Sequence, residues 1–228
     1  MLPNNAEIYN NLGTAYTIQK NYDKAIAAFN QAIRLNPKLL LAHRNLSVVF
    51  YELNRLPESL AAVRRAVKID PQDISSRRQL RQLNLLLEKD KEAVACYETL
   101  QKTVSLTATE QFYYGTALMQ SKKLNKALPF LKESAKLLSG DVVVQNIYGV
   151  ALYKKKKYKE AIIVLQRAMD INPNVAEIRY NLARTQLANK DKNAVIKHYL
   201  ILKRSSPAFA KKLYQSIYGD KVIFAGDY

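Results

Sequence analysis

Apolar residues in this chain recur at helical spacing, in two short groups separated by a polar break, and the whole arrangement repeats every 34 residues. Counted from Ala6 as position 1, the apolar residues fall at positions 7, 10 and 11, and again at positions 20, 21, 24, 27 and 28. Because residues three or four apart share one face of an α-helix, each group predicts one amphipathic helix. Each repeat is therefore predicted to be two helices, A and B, joined by a short turn.

Six such repeats follow one another without insertion. They are predicted to span residues 6–39, 40–73, 74–107, 108–141, 142–175 and 176–209. Position 32 is proline in four of them, where it ends helix B and starts the next repeat. Neither helix can bury its apolar stripe alone, so the repeats must stack. The sequence predicts an all-α fold, a right-handed superhelical solenoid in a single domain over residues 1–228, with a capping helix and tail at 210–228.

Position 8 of helix A is Gly13, Gly115 and Gly149 in three repeats. Glycine inside a helix costs about 1 kcal/mol relative to alanine. We predict that closer packing offsets this loss, because each glycine lets helix A approach the small residue at position 20 of helix B. In repeat 3 the same position is Arg81, which predicts that the two helices splay or that Arg81 extends to solvent.

Three other places depart from the regular pattern. Ala194 falls one residue short of the expected small position, which leaves the register of the last helix B open. Pro129 lies early in helix B of repeat 4 and is tolerable there if it falls within the first turn, where amide donors are unpaired. After the last repeat, residues 210 to about 218 are expected to form the capping helix, and KVIFAGDY a loose tail.

The pattern resembles the tetratricopeptide repeat (TPR) family over about residues 6–209. The first repeat carries the full set of family positions: Tyr9, Leu12, Gly13, Tyr16, Ala25, Phe29, Ala32 and Pro37. The resemblance implies that the A helices line a concave groove through positions 2, 5, 6, 9, 12 and 13. It also implies a protein-interaction scaffold or adaptor, which binds an extended or helical peptide segment of a partner in that groove.

Positions 5 and 6 of helix A supply the side chains expected in the groove. A carboxamide carries both a donor and an acceptor, so a row of asparagines can bind a peptide backbone. The row resembles the asparagine ladder of some TPR superhelices, although it is interrupted; alternatively, position 6 is only a half-exposed polar site. We expect the asparagines to project into the groove and not into the core. The candidate peptide-binding residues are Asn10, Asn11, Arg44, Asn45, Arg78, Gln79, Phe112, Tyr113, Asn146, Tyr153, Tyr180, Asn181 and Arg184.

The groove chemistry is predicted to vary along the array. Arg44 and Arg78 suit carboxylates through charge-assisted hydrogen bonds. Repeats 4 and 5 suit an apolar side chain through Phe112, Tyr113, Met119, Val143, Ile147 and Tyr153. The predicted partner is therefore a protein or peptide with acidic and apolar residues.

The chain is strongly basic, with 36 Lys and Arg against 19 Asp and Glu, a net charge of +17. This charge favours acidic partners of any kind, so RNA or another nucleic acid is the alternative partner. Lys154–Lys157 lie at the turn between helices A and B of repeat 5, with lysines at the matching turns of repeats 4 and 6. They either serve solubility and the helix end, or form a basic ridge that contacts phosphates of nucleic acid or lipid.

Residues for catalysis are sparse. The chain has one cysteine, Cys96, and two histidines, His43 and His198, with no metal-ligand spacing and no nucleophile motif. We expect no enzyme activity, no cofactor and no metal, and read these three residues as structural. No apolar run reaches the roughly 18 residues that span a bilayer, and no signal-peptide layout appears. A cytoplasmic location is expected, and the periplasm or another compartment is the alternative. A further alternative is that these repeats belong to a larger multidomain protein.

Overall fold

The computed structural model describes residues 5–218, and this range contains thirteen α-helices. Each predicted repeat is one pair, with helix A odd-numbered and helix B even-numbered. The helices are α1 (Ala6–Ile18), α2 (Tyr22–Leu35), α3 (Leu40–Glu52), α4 (Leu56–Ile69), α5 (Ile74–Leu86), α6 (Asp90–Leu100), α7 (Ala108–Gln120), α8 (Leu124–Leu137), α9 (Val142–Lys154), α10 (Tyr158–Ile171), α11 (Ala176–Ala188), α12 (Lys192–Ser205) and α13 (Pro207–Tyr218). The prediction of an all-α helical-repeat solenoid is confirmed.

The helices group into two compact units, divided after Ser105. Unit 1 contains α1 to α6, and unit 2 contains α7 to α13. Each helix A packs on the helix B of its own repeat, and each helix B packs on the next helix A within its unit. Each unit therefore forms its own stack of antiparallel helices.

The core of unit 1 is built from the apolar positions that the repeat predicts. Ala25 and Phe29 of α2 pack with Leu46 and Val49 of α3 and with Ala62 of α4. A second cluster joins α4 to α5 through Leu60, Val63 and Leu83. These clusters show why a single repeat would be unstable, because each core bridges two repeats.

Unit 2 repeats this arrangement and ends in the cap. Leu165 and Met169 of α10 pack on Ile178 and Leu182 of α11. Helix α13 covers the last repeat, with Ala210 and Leu213 against Ala183, Val195 and Leu202. The capping helix starts at Pro207 and not at residue 210. Proline is favoured at the first position of a helix, because the backbone N–H that it lacks would have no partner there. The segment KVIFAGDY lies outside the described residues.

The glycines at position 8 are enclosed by helix B. A Cβ on Gly115 would lie 2.6 Å from Leu131 Cγ and 3.2 Å from the Leu131 backbone nitrogen. Gly13 faces Phe29, and Gly149 faces Leu165, at the same 2.6 Å. The nearest neighbours are thus residues at position 24, one turn beyond the small residue that the sequence indicated. Close approach of the two helices is the physical reason for these glycines.

Where position 8 is not glycine, the helices adjust. In repeat 2 the buried Ser47 and Ser59 hydroxyls are 2.9 Å apart and hydrogen bonded. In repeat 3 Arg81 stays half-buried, with its guanidinium carbon 5.1 Å from the centre of the Tyr97 ring. Helix α6 has 11 residues whereas α2 and α4 each have 14, so α5 and α6 contact each other over a shorter length.

The two uncertain places in the later helices are also resolved. Val195, 1% exposed, occupies position 20 of repeat 6, so the register continues unchanged. Pro129 is the sixth residue of α8 and lies beyond the first turn. It therefore removes one helical hydrogen bond, the one that would reach the carbonyl of Asn125 four residues earlier. Both Pro129 and Asn125 are exposed, where water can satisfy that carbonyl.

Position 4 of helix A joins consecutive repeats through the backbone, a role that the sequence analysis missed. His43 Nε2 lies 2.9 Å from the Pro37 carbonyl oxygen, and Arg179 donates to the Pro173 carbonyl at 2.8 Å. Gln145 donates to the Ala135 carbonyl at 2.6 Å. Histidine, arginine and glutamine all have a long side chain with an N–H donor. What these residues at position 4 share is therefore the ability to donate a hydrogen bond, and not an apolar side chain.

Candidate functional site

The helix-A face of unit 1, formed by α1, α3 and α5, carries one asparagine pair. Asn45 Nδ2 donates to Asn10 Oδ1 at 3.1 Å and also lies 3.4 Å from Thr14 Oγ1. Asn10 is buried, Asn45 is half-buried and Asn11 is exposed. The pair therefore links α1 to α3, with Asn45 on the accessible side.

A pocket of about 370 Å³ opens between α3 and α5 on the same face. Its lining is Arg44, Val48, Tyr51, Ser75, Arg78, Gln79, Gln82 and Leu83. Gln82 Nε2 donates to the Tyr51 hydroxyl at 3.3 Å, which joins the two helices across the pocket. The pocket thus combines two guanidinium groups and two carboxamides with apolar walls, and its arginines are the two that we expect to suit carboxylates.

Arg44 is held by Asp73, the residue that caps α5. The guanidinium lies 3.4 Å from the carboxylate, which also accepts the Ser76 backbone N–H at 2.7 Å. Burial alone would raise the pKa of Asp73, but the hydrogen bonds from Ser76 and the charge of Arg44 outweigh it and lower that pKa. Arg44 is consequently oriented at the edge of the pocket by an ionised carboxylate.

The helix-A face of unit 2, formed by α7, α9 and α11, carries a second asparagine pair. Asn181 Nδ2 donates to Asn146 Oδ1 at 3.0 Å, and Asn146 Nδ2 donates to Glu177 Oε1 at 3.3 Å. Both asparagines are 6% exposed. The expectation that all the asparagines project into the groove is wrong for Asn10, Asn146 and Asn181, because burial between adjacent A helices requires their amides to bond one another.

The two pairs obey one rule. In each, the donor at position 6 lies 35 residues after the acceptor at position 5 of the preceding repeat. The asparagine row is therefore two inter-repeat pairs, one in each unit. The 35-residue spacing of Asn10 with Asn45 and of Asn146 with Asn181 was the signal in the sequence that could have revealed them.

Next to the second pair, Arg184 is fixed by aromatic rings. Its guanidinium carbon lies 4.4 Å from the centre of the Tyr153 ring and 5.5 Å from that of Tyr180. Tyr180 in turn packs on Phe209 of the cap, with ring centres 5.5 Å apart. Arg184 forms no ion pair with the described residues, and its buried Nε has no hydrogen-bond partner among them. The rings hold the guanidinium in place but leave its charge uncompensated.

Helix α7 of unit 2 contributes two neighbouring aromatic residues, Phe112 and Tyr113. The ring centres of Phe112 and Tyr113 are 5.3 Å apart, and Tyr113 is 44% exposed. Val143 is exposed and Ile147 half-buried, so both can contact a ligand. Met119 is buried, and its expected place in the groove was wrong; it is a core residue.

The remaining reactive side chains lie elsewhere. Burial, reinforced by the nearby charge of Arg179, lowers the pKa of His198 on α12. Burial raises the pKa of the Cys96 thiol, which disfavours the nucleophilic thiolate. Across residues 5–218, His, Cys, Asp and Glu do not gather in groups of three suited to a metal. The thirteen described helices are all too short or too polar to cross a membrane.

Three stretches match known family models. Residues 6–39 match the model described as tetratricopeptide repeat, residues 149–190 the one described as TPR repeat, and residues 87–168 that of anaphase-promoting complex, cyclosome, subunit 3. Fifty-five residues are 40% identical to the mouse protein O-mannosyl-transferase TMTC3 and 38% identical to the human one. That segment is 24% of this chain and only 6% of either relative.

Solved structures share the fold. YrrB, described as a TPR protein with an unusual peptide-binding site, has a TM-score of 0.72 at 19% identity, over 82% of this chain and 98% of that one. PilF of Pseudomonas aeruginosa has a TM-score of 0.64 at 20% identity, over 92% and 96%. The anaphase-promoting complex assembly Cut9–Hcn1 has a TM-score of 0.55 at 18% identity, over 86% and 41%.

Paired helices, an unbroken register and interlocking cores define a helical-repeat protein. Two separate stretches match repeat models of one family, the tetratricopeptide repeats, and the solved structures share the fold. The chain is a tetratricopeptide repeat protein. Proteins with this fold are in general interaction scaffolds.

Proposed function

We propose that this chain is a non-catalytic scaffold that binds a peptide segment of a partner protein on its helix-A faces. The observation that carries the proposal is Arg184, which is clamped between Tyr153 and Tyr180 with no ion pair among the described residues. A guanidinium that aromatic rings already orient, and that has no anionic partner among the described residues of its own unit, is well placed to bind a carboxylate of another molecule.

The asparagine pairs also support the proposal of peptide binding. Asn45 and Asn181 each donate Nδ2 to the preceding repeat, which fixes the orientation of the side chain. The Oδ1 atom of the half-buried Asn45 stays available to accept a hydrogen bond from a peptide N–H, whereas the buried Asn181 holds Asn146 in place. Pre-orientation of this kind lowers the entropy lost on binding.

The expected partner segment carries an acidic residue and an apolar one. In unit 2 a carboxylate would pair with Arg184, and an apolar side chain would contact Phe112 and Tyr113. In unit 1 a carboxylate would enter the pocket beside Arg44 and Arg78. Each unit thus offers its own binding surface for the same class of ligand.

The test is affinity capture followed by mass spectrometry, with wild-type protein, Arg184→Ala and a matched control. Arg204→Ala is the control, because Arg204 is an exposed arginine on α12 of the same unit. We expect Arg184→Ala to lose the partner that wild type and Arg204→Ala retain, with the helical circular dichroism of all three unchanged. Equal capture by all three proteins would contradict the proposal.

A further inference from the structure

The turns between helices A and B differ sharply in charge between the two units. In unit 2 these turns are residues 120–126, 154–160 and 188–194, which we call the turn edge of unit 2. This edge carries ten exposed lysines: Lys122, Lys123, Lys126, Lys154, Lys155, Lys156, Lys157, Lys159, Lys190 and Lys192. The acidic residues of the same three turns are Glu160 and Asp191 alone.

The equivalent turns of unit 1 provide an internal comparison. Residues 18–24, 52–58 and 86–92 contain five basic and six acidic residues: Lys20, Lys24, Arg55, Lys89 and Lys91 against Asp23, Glu52, Glu58, Glu88, Asp90 and Glu92. The backbone is the same in all six turns, since position 15 has a φ of 53° to 67° in each. The turn geometry therefore accepts lysine, asparagine or glutamate and does not require lysine.

The fold gains little from the lysines at the N-terminal ends of the B helices. Lys123 and Lys157 are the N-cap residues of α8 and α10, and neither helix has a side-chain cap. A positive charge at a helix N-terminus opposes the helix dipole. Lys157 is compensated by Glu160 at 2.9 Å, whereas Lys122, Lys123 and Lys156 form no ion pair with the described residues. A ligand that needs positive charge explains the cluster better than stability does.

The edge is continuous and polar. Lys155 of repeat 5 hydrogen bonds to Asn125 of repeat 4, so neighbouring turns lie within side-chain reach. The three turns have no exposed large apolar residue that could insert into a bilayer. Their amides, Asn125, Asn189 and Asn193, can donate to phosphate and sugar oxygens. The charges are all lysine, which attracts phosphate as a point charge and lacks the planar fork with which arginine reads bases.

From these features we propose that the turn edge of unit 2 binds the phosphate backbone of a nucleic acid, without preference for base sequence. This surface is distinct from the helix-A face. Binding is driven by counterion release, so affinity falls steeply as salt rises. The edge thus gives the scaffold a second, independent class of partner.

The test is fluorescence anisotropy with a labelled 20-nucleotide oligo(U) over a salt series from 50 to 300 mM. The edge variant combines Lys122→Asn, Lys156→Asn and Lys190→Asn, because asparagine tolerates the positive φ at these positions. The matched control combines Lys20→Asn, Lys89→Gln and Lys91→Gln, which removes the same charge from the turns of unit 1. Both variants keep the rest of the chain intact.

We expect wild type and control to bind alike, within about twofold. For single strands each phosphate contact contributes about 0.7 to the slope of log K against log salt, so the edge variant should lose about 2 from that slope. Three results would overturn the proposal: no binding at 50 mM salt, equal losses in both variants, or edge-dependent binding to phosphatidylserine vesicles without binding to oligo(U). Arg184→Ala should leave oligo(U) binding unchanged, which separates this test from that of the peptide site.

Discussion

Replacing Gly115 with alanine tests whether helix packing explains the glycines at position 8. By helix propensity alone the substitution should stabilise the protein by about 1 kcal/mol. The new Cβ, however, would lie 2.6 Å from Leu131 Cγ and 3.2 Å from the Leu131 backbone nitrogen. Because a backbone atom cannot swing aside, α7 and α8 must separate, and overpacking of this kind costs about 1–3 kcal/mol. After the gain in helix propensity is subtracted, we expect a net loss centred on about 1 kcal/mol and no larger than about 2 kcal/mol.

The measurement is urea unfolding followed by circular dichroism at 222 nm. Gly140→Ala is the control in the same unit, because a Cβ there meets no atom within 4 Å, and it should leave stability unchanged or slightly raised. Leu131→Ala removes the obstructing side chain, so in that background Gly115→Ala should cost less than it does in wild type. A Gly115→Ala protein as stable as wild type, or more stable, would refute the packing explanation.

Three further predictions follow from contacts elsewhere. Lys156→Gly should raise the free energy of unfolding by about 0.5–1 kcal/mol, because it relieves a positive φ of 62°; urea unfolding would show this, and a loss of stability would contradict it. Asn181→Ala should cost about 1–3 kcal/mol, because the buried Asn146 Oδ1 loses its donor, whereas the exposed Asn11→Ala should change stability by less than about 0.5 kcal/mol; equal effects in urea unfolding would refute this. The lowered pKa of His198 means that below about pH 6.5 the unfolded state takes up a proton more readily than the folded state. Stability should therefore fall as the pH drops from 7 through 6.5 towards the folded-state pKa, and thermal unfolding of His198→Gln should lack this part of the pH dependence; an unchanged pH profile would contradict it.

The helix pairs and their register could be predicted because period and helical spacing are properties of the sequence alone. Positions 7, 20 and 24 identified core residues such as Leu182, Ala161 and Leu165, all fully buried. The same reasoning placed Met119 in the groove. The sequence pattern of an apolar residue at such a position is the same whether its side chain contacts a ligand or the core. Side-chain direction at the edge of a helix contact depends on the neighbouring helix, which the repeat pattern does not describe.

The candidate site could be predicted by residue type but not by pairing. Asparagine at positions 5 and 6 was visible, yet its role depended on a residue 35 positions away. The aromatic clamp on Arg184 similarly joins α9, α11 and, through Phe209, the capping helix. Such contacts are set by how the repeats stack, and they become visible only when neighbouring repeats are read together.

The central claim, that partners bind on the helix-A face, can be tested most directly by site-specific photocrosslinking. p-Benzoylphenylalanine would replace Tyr113, which is 44% exposed on the helix-A face of unit 2, or Ile163, which is 56% exposed on helix B of the same unit. We predict that the captured partner crosslinks at position 113 and not at position 163. Crosslinking at position 163 alone would contradict the claim.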